Sequence, residues 1–193
     1  MPNAQDIAKF SRALPFWMSY LMVPLAWFTA VQGGWTVILL PLIAWWLFSA
    51  LDALTGLNLE NADPATSEED LVWYRLGVMA WVPVQFLTLF GIIWYITSAG
   101  HLGWIELLVL FFGMGVITGT VGINYSHELM HQKDRRERWL GDLLLSMVLY
   151  SHFRSEHLRV HHLYVGTPID PVTARYNEGF YRFFPRVLRQ SLG

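Results

Sequence analysis

The chain has 193 residues, 54% of them hydrophobic and only 15% charged, against about 25% charged in soluble domains, so lipid is the expected solvent for most of its surface. A formal net charge of −2 excludes nucleic-acid binding by bulk electrostatics, and the count of Cys 0 excludes disulfides, thiolate metal sites and a cysteine nucleophile. Any metal must then be held by histidines and carboxylates, which makes the 7 His the residues to follow.

Lys9 and Arg12 precede a first apolar segment, Leu14 to Ala30. It is too long for the hydrophobic core of a secretory signal, and no small-residue cleavage site follows it. The second segment runs from Trp35 to about Leu51, the third from Leu76 to about Thr97 and the fourth from Leu102 to about Ile123. Each is near or above the roughly 17 residues that cross a bilayer core as a helix. Gln32-Gly33-Gly34 and Ser98-Ala99-Gly100 turn the segments into two antiparallel hairpins, and neither turn carries Lys or Arg. The basic residues lie at the opposite ends: Lys9, Arg12, Arg75, then Lys133, Arg135, Arg136 and Arg138. By the positive-inside rule both ends of this four-helix unit face the cytoplasm, together with the acidic stretch of Glu60, Asp63, Glu68, Glu69 and Asp70.

Trp35, Trp73, Trp94 and Trp104 fall at segment ends, where an aromatic belt belongs. In the fourth segment Gly115 and Gly119 form a GxxxG pair, with Gly113 and Gly122 nearby, read as an ordinary packing face rather than a dimerisation face. The apolar run from Trp139 to about Tyr150 is short, and suits a re-entrant or interfacial helix. The fold class is therefore an all-α integral-membrane helical bundle in one domain. Four transmembrane helices lie within residues 14–125, and residues 126–193 form a cytoplasmic histidine-rich region ending in a basic amphipathic stretch.

Two histidine clusters follow the fourth segment. The first reads His127-Glu128-Leu129-Met130-His131. If the helix continues through it, the two imidazoles share one face at i and i+4 and can grip one ion. The second reads Glu156-His157-Leu158-Arg159-Val160-His161-His162. On an α-helix His157 and His161 repeat the i, i+4 pairing, while His162 points about 100° away toward a different coordination position. His101, alone near a turn, reads as a capping or interfacial residue. His152, five residues before the second cluster, reads as a supporting residue.

His127-Glu128-x-x-His131 also matches the HExxH pattern of zinc proteases, with Glu128 as general base. Zinc usually closes with three protein ligands and a water, so five histidines exceed one such site. Imidazole suits iron and copper as well, and the excess fits two metals. Glu128 and Glu156 would then orient imidazoles from behind and raise their basicity.

At these residues the sequence resembles the integral-membrane alkane monooxygenases. The HELMHQ run from His127 to Gln132 is similar to their first histidine box, and the stretch from Tyr150 to Asp170 is similar to the second with its Thr-Pro-x-Asp-Pro continuation. Leu51-Asp52-Ala53-Leu54-Thr55-Gly56 and Tyr181-Arg182-Phe183 extend the likeness across most of the chain. The HxxxHH spacing favours the alkane and xylene monooxygenase branch over the desaturases and sterol hydroxylases, which generally have HxxHH.

The resemblance implies a six-helix membrane fold with a cytoplasm-facing, all-histidine di-iron centre, in the inner membrane of a bacterium. It implies two non-haem iron ions held in part by His127, His131, His157, His161 and His162, with Glu128, His152, Glu156 and Asp170 supporting them. O2 would be cleaved there, one atom entering the terminal C–H of an alkane or an alkyl-aromatic methyl and the other leaving as water. Electrons would come from a rubredoxin or ferredoxin with its reductase, and the basic run from Lys133 to Arg138 is a candidate receiver for an acidic carrier. Trp45 and Trp46 on the second helix are candidates for the wall of an apolar substrate tunnel. The family has a further histidine box and two more helices, so this chain is expected to be part of a longer protein or a degenerate relative, and inactive alone. The rival readings are a fatty acyl desaturase or hydroxylase, a membrane zinc protease and a non-catalytic membrane protein.

Overall fold

The computed structural model describes residues 4–55 and 70–191. Gly56 of the Leu51–Gly56 motif and the acidic residues Glu60, Asp63, Glu68 and Glu69 lie outside the described residues. Contacts divide the chain into two units, Met1–Val148 and Leu149–Gly193.

Every regular element among the described residues is helical. In the first unit, α1 (Asp6–Gln32), α4 (Val72–Ala99) and α5 (Trp104–Met130) are long and apolar enough to cross a membrane, with mean hydropathies of 1.4, 1.9 and 1.9. They make the chain an integral membrane protein. The second apolar segment is shorter than the other three: α2 (Gly34–Leu47) is followed by α3 (Phe48–Thr55). Its backbone opens as a 3₁₀ turn over Gly34–Ile38 and widens to a π-turn over Leu42–Leu47. The other helices run past their expected ends. The fourth extends to Met130, so the first histidine cluster sits at the end of a transmembrane helix, with His127 in its last turn and His131 at its C-cap.

The hairpin turns have a physical basis in their glycines. Gly33 and Gly100 adopt φ of 62° and 60°, where a Cβ is disfavoured. A Cβ on Gly33 would also stand 2.7 Å from Leu102. Glu106 closes this end: its carboxylate accepts from the backbone N–H of Gly34 and, at 2.6 Å, from that of Gly103. His101 does act as a capping residue here, its Nε2 lying 3.1 Å from the Ala30 carbonyl. The opposite end is tied by Lys9 to Asp70 (2.9 Å), by Trp17 Nε1 donating to the Trp73 carbonyl (3.0 Å) and by the Arg75–Glu137 ion pair.

Between these ends a core forms from Met22, Ala26 and Ala30 of α1, Leu40 of α2, Trp81 and Ile92 of α4, and Leu110, Met114 and Ile117 of α5. Small residues let the helices close: a Cβ on Gly113 would meet Leu40 and Pro41 at 2.9 Å, and one on Gly91 would meet Trp27 at 2.8 Å. The GxxxG expectation is corrected here. A Cβ on Gly115 or Gly119 would meet nothing within 4 Å, and both residues are exposed. Gly113 and Gly122 do the packing instead, because they lie on the face turned toward Leu40 and Gln85. Trp35, Trp94 and Trp104 are strongly exposed at helix ends, as an aromatic belt requires.

The short run beyond the fourth helix is α6 (Arg135–Met147), amphipathic and packed against the end of α5. Asp134 starts it by accepting from the Arg136 N–H at 2.8 Å. In the second unit, α7 (Phe153–Glu156) leads into a π-turn over His157–His161 and a last helical turn over His162–Tyr164. A loop follows, then α8 (Phe180–Ser191), strongly amphipathic and basic on its polar face.

Candidate metal centre

The first cluster owes its rigidity to α6. A Cβ on Gly141 would lie 3.1 Å from Leu129, so the two helices touch backbone to backbone. Ser126 Oγ donates across this contact to the Gly141 carbonyl at 2.9 Å. Buried Glu137 reaches from α6 to Arg75 of α4. Arg138 donates to the carbonyls of Gln132 and Lys133 at 2.8 and 2.6 Å, closing the connection between the helices. On the helix so held, the rings of His127 and His131 stand 4.7 Å apart between centroids, the i, i+4 geometry expected. Glu128, between them in sequence, is exposed.

The second cluster departs from its expected geometry. His157–His161 is a π-turn, in which the His162 N–H donates to the His157 carbonyl five residues back. The wider turn brings i+5, not i+4, above i. His162 therefore does not point about 100° away. Its ring lies 4.5 Å from that of His157, while His161 is 5.4 Å from His157.

The Nε2 atoms of His157 and His162 are 3.0 Å apart. Two imidazole nitrogens bound at right angles to one ion at about 2.1 Å would be separated by about 3.0 Å. This separation also allows one neutral ring to donate to the other. His161 has its Nδ1 committed, 2.9 Å from Asp170 Oδ2, which leaves Nε2 with a lone pair for a metal.

Asp170 is 1% exposed and fully employed. Besides His161, it accepts from Thr173 Oγ1 at 2.5 Å and from the Val172 N–H at 3.1 Å. Burial pushes its carboxyl up, but these hydrogen bonds from Thr173, His161 and Val172 outweigh burial and hold it below its ordinary value.

His152 and Glu156, one turn apart, each keep a buried polar atom, Nε2 and Oε1, without a hydrogen-bond partner among the described residues. Such atoms are what a metal site or its surroundings would use. Tyr150, stacked on Phe153 at 5.1 Å, has its hydroxyl pKa raised by burial and then by the Glu156 charge. The donor set is imidazole-rich with carboxylates behind, and three close histidines in this unit alone are suited to metal.

Trp45 and Trp46, on the π-turn of α2, are 50% and 66% exposed. A small cleft within the first unit is lined instead by Met22, Trp81, Gln85, Thr88, Met114 and Thr118. Sequence reasoning missed Arg186, Glu178 and Thr173, which hold the loop carrying Asp170; no spacing rule links them to the histidines.

Comparison with known proteins is consistent with this donor set. Residues 102–193 match the fatty acid desaturase family model. Alkane 1-monooxygenase 2 of Alcanivorax borkumensis is 35% identical over 90% of this chain and 47% of its own length. Alkane 1-monooxygenase of Pseudomonas putida is 31% identical over 96% of this chain and 46% of its own length. That of Ectopseudomonas oleovorans is 32% identical over 80% and 39%. The chain spans about half the length, or less, of these curated relatives. Over most of its own length, then, the chain is similar to the alkane 1-monooxygenases, and from residue 102 onward it matches the fatty acid desaturase family model.

Proposed function

We propose that this chain belongs to a membrane-bound non-haem di-iron monooxygenase that hydroxylates the terminal C–H of an alkane or the methyl of an alkyl-aromatic. His127, His131, His157, His161 and His162 serve as iron ligands, with Glu128, His152, Glu156 and Asp170 behind them. The observation that carries this reading is the paired Nε2 atoms of His157 and His162, 3.0 Å apart beside a His161 whose Nδ1 is already used. Two irons, when bound, supply the O2-derived oxidant that an unactivated C–H bond requires and that amino acids alone lack.

The chain's own residues bind and orient. Asp170 fixes the His161 tautomer, and α6 braces the helix bearing His127 and His131. The apolar helices give a lipid-soluble substrate a path from the bilayer, with Trp45 and Trp46 as candidate walls. The balance is one alkane, one O2, two electrons and two protons yielding one alcohol and one water. The electrons come from rubredoxin or a ferredoxin with its reductase. The charge asymmetry supports an active site on the cytoplasmic side of the inner membrane, since Lys9, Arg12, Arg75 and the Lys133–Arg138 run lie at one end of the apolar helices.

The test is metal content per chain, by elemental analysis, of detergent-purified protein expressed from the reading frame that contains this chain. About two irons, lost in His157→Ala and His162→Ala together with alkane hydroxylation, is the expected result. Stoichiometric zinc would move the assignment to a protease using Glu128 as base, and no bound metal would leave a non-catalytic membrane protein.

A further inference from the structure

Arg186 lies on α8, outside both histidine clusters, yet its guanidinium is fully engaged. Nε and Nη2 donate to Glu178 Oε1 and Oε2 at 2.7 and 2.6 Å, a bidentate pair. Nη1 donates to the Pro171 carbonyl at 2.8 Å and to Gln190 Oε1 at 3.0 Å, and Nη2 also reaches the Thr173 carbonyl at 3.1 Å. Both sides of the pair are largely withdrawn from water. A surface ion pair has no need of backbone partners. This one grips the chain at residues 171 and 173, the two that follow and flank the side-chain bonds of Asp170.

That turn has one output toward the histidines. Asp170 Oδ2 receives His161 Nδ1 and Thr173 Oγ1, and Thr173 Oγ1 in turn accepts from the Gly166 N–H at 2.9 Å. The turn contains no regular secondary structure to hold its shape, and Pro171 contributes no donor of its own. Two long backbone bonds, from the Asp170 N–H to the Thr167 carbonyl and from the Thr173 N–H to the Asp170 carbonyl, both 3.3 Å, close the turn, and the Asp170 side-chain bonds and the fork of Arg186 hold it from its two sides. A lysine could reach one carbonyl but could not present three donors in a plane.

We propose that Arg186, clamped by Glu178, is a positioning residue for the metal centre: it holds the Asp170–Thr173 turn so that Asp170 keeps His161 aimed through Nε2. The amphipathic helix α8 thereby sets the geometry of a ligand 25 residues earlier in the chain. The proposal rests on the reading of His161 as a metal ligand.

The experiment is ferrous iron retention against a competing chelator, measured on the detergent-purified protein of the whole reading frame, for His161→Ala, Asp170→Asn, Arg186→Met, Arg186→Lys and the Asp170→Asn/Arg186→Met double variant. Losing a partner behind a metal-bound histidine costs roughly 10–100-fold in affinity. The expected result is a loss in that range for Asp170→Asn and about tenfold for Arg186→Met. Arg186→Lys recovers only part of it, and the double variant is no worse than Asp170→Asn alone, because Arg186 acts through Asp170. Losses that add in the double variant would make Arg186 a general stabiliser and overturn the proposal. Unchanged retention in Arg186→Met, with His161→Ala and Asp170→Asn both weakened, would overturn it while leaving the metal reading standing. If His161→Ala also retains its iron, it is the metal reading that fails. Should Arg186→Met not accumulate in membranes, Glu178→Gln replaces it, with a smaller loss supporting the clamp and none overturning it.

Discussion

His162 Nε2 faces His157 Nε2 at 3.0 Å, five residues apart in sequence and joined by a π-turn. An α-helix would put these rings on diverging directions, so the backbone irregularity and the donor pair are one feature. π-turns of this kind recur at functional sites.

The pair has a direct consequence for metal binding. His157→Ala or His162→Ala should each remove most bound iron and abolish hydroxylation, while α1, α4 and α5 still insert. Elemental analysis and membrane fractionation check both halves of the expectation. Iron retained in either variant would remove that residue from the ligand set.

The π-turn accommodates one more residue than an α-turn would. Deleting the exposed Arg159 should convert His157–His161 to regular α-helix and bring the last two histidines to i+3 and i+4. Iron retention should stay within about threefold of the parent, whereas inserting an alanine at the same place should abolish it. Equal loss in both variants would show that the π-turn itself is required.

Helix packing gives a stability contrast on α5. Gly113→Val places methyls against Leu40 and Pro41, where a Cβ already stands at 2.9 Å, and should destabilise by about 1–3 kcal/mol. A Cβ on Gly115 meets nothing within 4 Å, on an exposed face, so Gly115→Val should cost less than Gly113→Val in the isolated chain. Thermal unfolding in detergent, followed by circular dichroism, distinguishes them. A matching loss at Gly115 would mean that this face is also packed.

The second unit should be acid-sensitive at low pH. Glu178 is held at about 2, below its ordinary 4.5, first by hydrogen bonds from the Arg186 guanidinium, then by the Arg175 N–H and by nearby positive charge. A lowered folded-state pKa contributes stability that is present above the unfolded value and is lost as pH falls through the folded one. The clamp should therefore weaken between about pH 4.5 and pH 2, with Asp170, also lowered, titrating in the same direction. Limited proteolysis with an acid-stable protease reads the opening of the 165–180 loop, and Glu178→Gln should flatten the pH dependence.

The membrane character and the histidine positions were legible because both are properties of sequence period and residue type. Twenty apolar residues in a row can satisfy their backbone in lipid only as a helix, so α1, α4 and α5 could be read directly. HxxxH at His127 and His131 needed only that α5 continue, which it does as far as Met130. Glycines were legible as small residues but not as contacts: Gly115 and Gly119 fit the motif, while Gly113 and Gly122 meet neighbours whose approach depends on helix rotation.

What the sequence alone determined is a membrane helical bundle followed by an imidazole-rich region whose donor set suits a metal, since hydropathy and ligand chemistry are local. Tertiary structure decided which nitrogens face each other and what holds them. The π-turn that pairs His157 with His162 depends on backbone hydrogen bonding that residue identity does not encode by period. The link from Arg186 to His161 runs through Pro171, Thr173 and Asp170, joined across 9 and 15 residues by a loop whose path no periodicity describes. Contacts of that kind arise from chain closure, and only the folded chain shows them.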